Sequence, residues 1–410
     1  MTDAPDRPGI PENPGIPENI VRRTPWPDSV SRAVVTPLQP SVVYASSDPD
    51  QLDAQYEGRV AGYTYAREGH PNADVLARKI DALEGAPGPG GLILGSGMAA
   101  ISAVLLGLLK AGDRMLGGNQ LYGRSLRLMA QDLPRFGIGA DLADPTDAGA
   151  VRAAIRPETR LILVEVVSNP TLRVADMEAI LAIGREAGVP VAVDNTFTTP
   201  RGYRPFDHGA DIVIHSVTKL LAGHSDVTLG YVAARDPAQR QAIRDFAVTT
   251  GLTPSPFDCW LAERGLMSFH LRYDRAEENA AALADFIAGR PGVRRVIYPG
   301  RSDHPDHNRA AGLLGARGGN MLSFELAGGR AAANALTRAM PGVAFAPTLG
   351  DVGTTLSHPA SSSHRALAPE ARAALGISEG FFRVSVGVED IGLLCRDFGT
   401  GIAAAAAVSR

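Results

Sequence analysis

The sequence predicts an α/β fold, in which a mainly parallel sheet is covered by helices on both faces and is followed by a smaller C-terminal α+β domain. Three observations predict it. From Leu76 onwards, short apolar runs alternate with helical patterns, as in a parallel sheet wound with crossover helices. After about Leu266 this texture gives way to a long helical pattern and scattered strands. With 410 residues, the chain is long enough for two domains, each with its own core.

Residues 1–30 read as a mobile tail. The hexapeptide Pro-Gly-Ile-Pro-Glu-Asn occurs at Pro8–Asn13 and again at Pro14–Asn19, with too little apolar surface to offset its ordering entropy. Residues 31–75, irregular from Val34 to His70, read as an arm crossing a surface. The large domain, 76–265, opens with a short strand at Gly91–Leu94 and an all-round apolar helix at Met98–Lys110. Arg160–Val167 reads as a buried strand and Asp176–Ala187 as a helix opened by an aspartate cap. Val189–Val193, Ile212–His215 and Gly230–Ala234 continue the series as strands. In the small domain, 266–410, the pattern predicts helices at Tyr273–Ala288 and Arg330–Ala339 and strands at Val293–Tyr298, Met321–Leu326 and Phe382–Val386. Pro347–His364 is loop-rich, and the alanine-rich Ala403–Ala407 reads as helix or frayed tail.

Composition narrows the function classes. Charged residues make up 20% and apolar ones 45%, an ordinary globular balance. A formal net charge of -4 favours neither nucleic acid nor an anionic membrane as partner. The longest apolar stretch, Leu92–Leu109, is interrupted by Gly95, Ser96 and Gly97, so it does not read as a membrane span. Cys259 and Cys395 are far apart and lack metal spacing; two free thiols in a reducing cytoplasm is the reading, with no metal site. The polar, proline-rich start does not resemble a secretory signal.

The chemistry centres on Lys219, which closes the apolar segment Asp211–Lys219 behind two hydroxyls, Ser216 and Thr218. A lysine at a strand end can form a Schiff base with a carbonyl. Asp194 closes the earlier run Val189–Asp194, where a carboxylate is either a cap or a buried charge that needs a partner. Together these are the two protein groups that pyridoxal phosphate (PLP) requires: an amine for its aldehyde and an acid for its ring nitrogen. The lysine in the next strand unit shifts Asp194 away from the cap reading. Gly95-Ser96-Gly97-Met98, between a strand and a helix, is either a tight turn or a place where backbone N–H groups meet a phosphate. Ser216 and Thr218 suit the same phosphate, or are satisfied by nearby backbone. Tyr122, after strand-like Arg114–Leu116, either stacks on the cofactor ring or is simply half-buried.

These segments resemble one family. Gly95–Ala100, Leu121–Gly123, Asp194–Pro200, His215–Asp226 and Phe382–Asp390 are similar, in order and spacing, to the cysteine/methionine-metabolism PLP enzymes. That family includes cystathionine γ-synthase, cystathionine β- and γ-lyases, methionine γ-lyase and O-acylhomoserine sulfhydrylase. The resemblance runs from about Thr36 to the C-terminus and implies PLP fold type I, aspartate aminotransferase-like. It implies that Lys219 is the Schiff-base lysine and proton carrier, and Asp194 the ring-nitrogen partner. Gly97, Met98, Ser216 and Thr218 match the phosphate cup, and Tyr122 the ring-stacking acid–base tyrosine. Tyr65 and Arg67 match a pair that reaches the phosphate of a neighbouring subunit, so the implied assembly is a homotetramer, a dimer of dimers with shared active sites. Arg383 matches the clamp on the substrate α-carboxylate, with Thr348 beside it and Arg127 at the distal end.

Departures from the family pattern bear on the substrate. Thr348-Leu349-Gly350-Asp351 stands where members carry Ser-Leu-Gly-Gly or Ser-Leu-Gly-Asp. Pro347 and Thr64 replace the two glutamates of cystathionine γ-lyases. Arg124 stands where methionine γ-lyases have a cysteine, and His70-Pro71-Asn72 replaces Asn-Pro-Thr. The expected function is a carbon–sulfur lyase of sulfur amino acids, giving an oxo acid, ammonia and a thiol. A γ-replacement synthase using an O-acylhomoserine is the alternative, ahead of an aminotransferase or a non-catalytic scaffold.

Overall fold

The computed structural model describes residues 29–88, 90–315, 317–365 and 367–408. The tandem hexapeptide, and with it most of the expected tail, lies outside them. Residues 38–410 form one compact unit, and the described residues of the other, 29–37, carry no helix or strand.

A seven-stranded sheet organises the first part of the compact unit. Its strands are β1 (Leu92–Leu94), β2 (Arg114–Gly118), β3 (Gly139–Ala143), β4 (Thr159–Glu165), β5 (Val191–Asp194), β6 (Ile212–Ser216) and β7 (Gly230–Ala234), in the spatial order β1-β7-β6-β5-β4-β2-β3. From β2 to β6 every pairing is parallel. β7 runs antiparallel to both β6 and β1. The physical reason lies in the connection 217–229, which contains turns but no helix. A parallel return needs a long crossover, usually helical; this segment doubles back instead and presents Lys219 on the way.

Strand periodicity separates the two faces. Leu161 and Leu163, Ala192, and Ile212 and Ile214 point into one core; Ile162 and Val164, Val191 and Val193, and Val213 point into the other. Both faces are dry, which explains why these strands read as continuous apolar runs. The helix Gly97–Leu108 covers the first face through Ala100, Ile101, Val104 and Leu105. Helix Pro71–Glu84 covers the second through Ala73, Leu76, Ala77 and Ile80. The expected aspartate cap is present: Asp176 accepts a hydrogen bond from the N–H of Ala179, opening helix Met177–Ala187.

The second sheet contains β8 (Val293–Ile297), β9 (Met321–Leu326), β10 (Ala344–Phe345), β11 (Thr355–Ser357) and β12 (Phe381–Ser385), in the order β10-β11-β12-β9-β8. It has its own core around Phe324, Phe382 and Phe398. The alanine-rich C-terminus is the end of a helix, Ile391–Ala407. Leu394, Phe398, Ile402 and Ala405 form its buried stripe, which is what holds the last turns in place. Several elements differ from the sequence pattern, among them β11, which lies inside the stretch read as loop-rich. The helix expected from Tyr273 begins at Phe269, because Phe269 and Arg272 are already buried. The stretch 31–75, expected to be an irregular arm, contains a helix, Pro49–Tyr56, with Asp48 as its cap and proline at its first position.

Candidate active site

Three strands of the parallel set end side by side, and each brings a polar residue to its carboxyl end on the face that is otherwise apolar. On β4, Glu165 continues the row of Leu161 and Leu163. On β5, Asp194 follows Ala192; on β6, Ser216 follows Ile214. In the paired register Glu165 lies opposite Asp194. A cavity opens over these ends, lined also by Gly97, Met98, Tyr122, Asn169, Lys219 and Leu349. A crevice beyond the carboxyl ends of parallel strands is where α/β proteins bind ligands.

Lys219 is half-buried, and its Nζ lies 3.5 Å from Thr348 Oγ1. Burial lowers its pKa, with Arg383 adding to the effect, so the amine gives up its proton more readily than an ordinary lysine. Gly350 lets the Thr348 loop come this close: a Cβ there would lie 2.5 Å from the Leu220 nitrogen, and its φ is +83°.

Asp194 is buried, at 8% exposure. Burial raises its pKa, while Thr196 and His215 pull it down. Thr196 orients it through a chain of hydrogen bonds. Ser216 N–H donates to Thr196 Oγ1 at 2.7 Å, and the Thr196 hydroxyl donates to Asp194 Oδ1 at 2.5 Å. The Thr196 N–H adds a second bond to Oδ1 at 3.1 Å. Among the described residues nothing donates to Oδ2, so one oxygen remains for a ligand.

Helix Gly97–Leu108 points its N-terminus at the same space. Ser96 caps it by accepting from the Ala99 N–H at 3.0 Å, and the first-turn N–H groups at Gly97 and Met98 have no intrahelical acceptor. Gly97 is sterically required, because a Cβ would meet the Ser216 Cβ at 2.6 Å. The structure places Thr218 differently from Ser216. Its hydroxyl donates to Leu229 O at 3.2 Å and accepts from Leu229 N–H at 2.9 Å, and the residue does not line the cavity.

Arg383 lies on β12 at 6% exposure. It donates to Asn169 Oδ1 at 2.7 Å and to Thr348 O at 2.6 Å, while its Nε finds no partner. No acid among the described residues pairs with it, and burial lowers its pKa to about 10. A buried cation held only by neutral acceptors, with one donor free, suits an incoming carboxylate. His364, buried nearby, is pushed down to about 4 by burial and by Arg383, and so stays neutral.

The backbone N–H of Tyr122 donates to Glu165 Oε1 at 2.7 Å, and the side chain is 40% exposed at the cavity edge. Tyr65, Arg67 and Arg127 are exposed and do not line this cavity. Arg67 lies over the Tyr65 ring at 5.6 Å and donates to Val248 O at 3.3 Å. Sequence reasoning missed Glu165, Asn169, Thr196 and His364. Glu165 was within reach, since it closes Leu161–Val164 just as Asp194 closes its own run.

The donor set fits PLP: an amine of lowered pKa, a buried acid with a free oxygen, and a helix N-terminus beside Ser216. Comparison with known proteins decides the family. Residues 19–403 match the family model described as Cys/Met metabolism PLP-dependent enzyme. The chain belongs to this family and is a PLP-dependent enzyme. It is 38% identical over 384 residues to L-methionine gamma-lyase of Pseudomonas putida, covering 93% of this chain and 95% of that one. It is 39% identical over 383 residues to cystathionine beta-lyase of Bacillus subtilis, at 93% and 95% coverage. Among solved structures it is similar to cystathionine gamma synthase from Xanthomonas oryzae pv. oryzae in complex with aminoacrylate and cysteine. There the TM-score is 0.87 at 37% identity, covering 93% of this chain and 96% of that chain. The parallel sheet with a second, smaller sheet is the fold-type-I architecture of these enzymes.

Proposed function

We propose that this enzyme is a carbon–sulfur lyase of sulfur-containing L-amino acids, releasing an oxo acid, ammonia and a thiol. The observation that carries the reading is Arg383: a buried guanidinium without an acidic partner, with Nε free, reached through Thr348 from Lys219. It supports recognition of an amino-acid carboxylate next to a proton-carrying amine.

Lys219 would hold the cofactor's aldehyde, Asp194 its ring nitrogen, and Gly97, Met98 and Ser216 its phosphate, with Thr218 bracing the loop through Leu229. When bound, PLP supplies an electrophilic carbon for amino groups and a ring that withdraws electrons from the substrate's Cα. The protein groups do the rest. Arg383 fixes the α-carboxylate and so orients the Cα–H bond. Lys219 Nζ takes the Cα proton; for a leaving group at Cγ it also moves a proton at Cβ. Tyr122 is the second proton carrier, its backbone anchored on Glu165. Arg127 is assigned to the distal end of the substrate. With Pro347 and Thr64 in place of acids, a neutral or acidic far end is accepted more readily than an ammonium.

We assign 31–75 as an arm that completes a neighbouring subunit's site through Tyr65 and Arg67, the segment from 76 to 265 as the PLP domain and the rest of the described chain as the small domain. A homotetramer built from two such dimers follows. The exposed apolar side chains of Met267 and Leu271, 65% and 78% accessible, supply surface suited to a subunit contact. A cytoplasmic location accords with two free thiols. Among the described residues no helix is long and apolar enough to cross a membrane.

Similarity to cystathionine gamma synthase favours a second reading, γ-replacement on an O-acylhomoserine. Incubation with methionine, cystathionine, cysteine and O-acetylhomoserine separates the two. Oxo acid and thiol released from a thioether or thiol substrate alone support the lyase. Turnover confined to O-acetylhomoserine plus an added thiol, with a thioether as product, overturns it.

A further inference from the structure

The turn that presents Lys219 is held by one buried side chain that the chemistry above does not use. Arg272, near the start of helix Phe269–Ala288, is 9% exposed. Its Nη1 donates to Leu220 O at 3.0 Å. Its Nη2 donates to Leu221 O at 3.1 Å and Gly265 O at 3.0 Å, with Ala222 O at 3.5 Å. Nε donates to Ser268 Oγ at 3.0 Å. Three of these acceptors are the carbonyls that directly follow the lysine, gathered by one cation as the last carbonyls of a helix can be.

The helix that carries Arg272 gains nothing from a cation near its N-terminus, where the macrodipole opposes positive charge. Burying a guanidinium is costly unless its donors are used, and here every nitrogen is bonded, each time to an uncharged acceptor. Two glycines make room for it. A Cβ on Gly223, whose φ is +77°, would lie 1.9 Å from Arg272 Nη1, and one on Gly265 would lie 2.2 Å from Ala222 O.

The clamped turn joins both halves of the site. Gly223 N–H donates to Lys219 O at 2.8 Å, and Gly223 O accepts from Val352 N–H at 2.8 Å. Val352 ends the loop in which Thr348 meets Lys219 Nζ and Arg383. We propose that Arg272 is a positioning residue for proton transfer: by holding the carbonyls of 220–222 it fixes the backbone from which Lys219 reaches the substrate's Cα. Arg272 does not line the cavity and acts through Lys219 alone. Arg383 keeps its own bonds to Asn169 and Thr348, so carboxylate binding is separate from this effect. The inference rests on the site assignment above.

The test follows the Cα proton of L-alanine, an amino acid without a leaving group, by 1H NMR in D2O with PLP-loaded enzyme. The rate is expressed per cofactor-bearing subunit. In Arg272→Lys a single ammonium replaces a fork that reaches its acceptors from three nitrogens. This variant should slow the exchange by about 10- to 100-fold, while the alanine concentration for half-maximal rate moves by less than about threefold. An unchanged rate per loaded subunit overturns the proposal, since a merely weakened fold loses loaded subunits and not speed. Amide hydrogen–deuterium exchange of the full chain freed of cofactor reads the clamp by itself. Residues 217–229 should exchange faster in Arg272→Lys than in wild type, with β4 and β5 unchanged; uniform acceleration, or none, overturns the proposal. Ser268→Ala removes only the Nε acceptor, should act in the same direction by a smaller factor, and carries both measurements if Arg272→Lys does not fold. Wild-type holoenzyme that leaves the alanine Cα proton in place would instead defeat the proton role of Lys219, a result on which the amide exchange does not depend.

Discussion

Replacing Arg383 with lysine isolates the carboxylate clamp, because it keeps the charge and removes the fork. The wild-type guanidinium uses Nη1 on Asn169 and Nη2 on the Thr348 carbonyl, and its buried Nε has no partner. A charge-assisted hydrogen bond to a carboxylate contributes about 1.5–3 kcal/mol, and a shorter ammonium cannot serve the two neutral acceptors and the ligand together. A loss of about 2–4 kcal/mol in transition-state binding follows, roughly 30- to 1,000-fold in kcat/KM. The assay is steady-state oxo-acid release from the preferred amino acid and from its carboxamide analogue. Wild-type enzyme should prefer the carboxylate strongly, and Arg383→Lys should lose most of that preference. If the variant slows both substrates by the same factor, Arg383 is structural and the clamp reasoning is refuted.

Glu165 offers a pH test. Burial and Asp194 raise its pKa well above its ordinary 4.5. A carboxyl with a raised folded pKa contributes stability below its unfolded value, and this is lost as pH rises through the folded one. Glu165→Gln should therefore gain in Tm over wild type as apo-protein between about pH 4.5 and neutrality; a pH-independent difference contradicts this. Arg67→Ala should weaken PLP retention by about 10- to 150-fold through loss of one charge-assisted contact from the neighbouring subunit. Unchanged cofactor affinity counts against a shared site.

Much of this site was readable because its residues sit at the ends of apolar runs. Asp194, Ser216 and Lys219 each close such a run, and period-2 alternation sends the first two to one face. Glu165 carried the same signal. What sequence spacing did not reveal were contacts made across long separations: His215 with Glu84, Arg383 with Asn169, and Asn195 with Glu84. The antiparallel β7 also escaped, because apolar runs do not encode direction and only the helix-free connection 217–229 does. Thr218 shows the opposite case, a hydroxyl well placed in sequence whose bonds are taken up by Leu229.

The chain has only three lysines, Lys79, Lys110 and Lys219, and Lys79 is paired with Glu263 at 2.7 Å. Borohydride reduction of the purified enzyme, followed by peptide mass mapping, therefore reads the covalent site without ambiguity. The structure predicts a pyridoxyl adduct on the Lys219 peptide and none on the other two. An adduct on Lys79 or Lys110, or none at all in cofactor-saturated protein, would contradict the site described here.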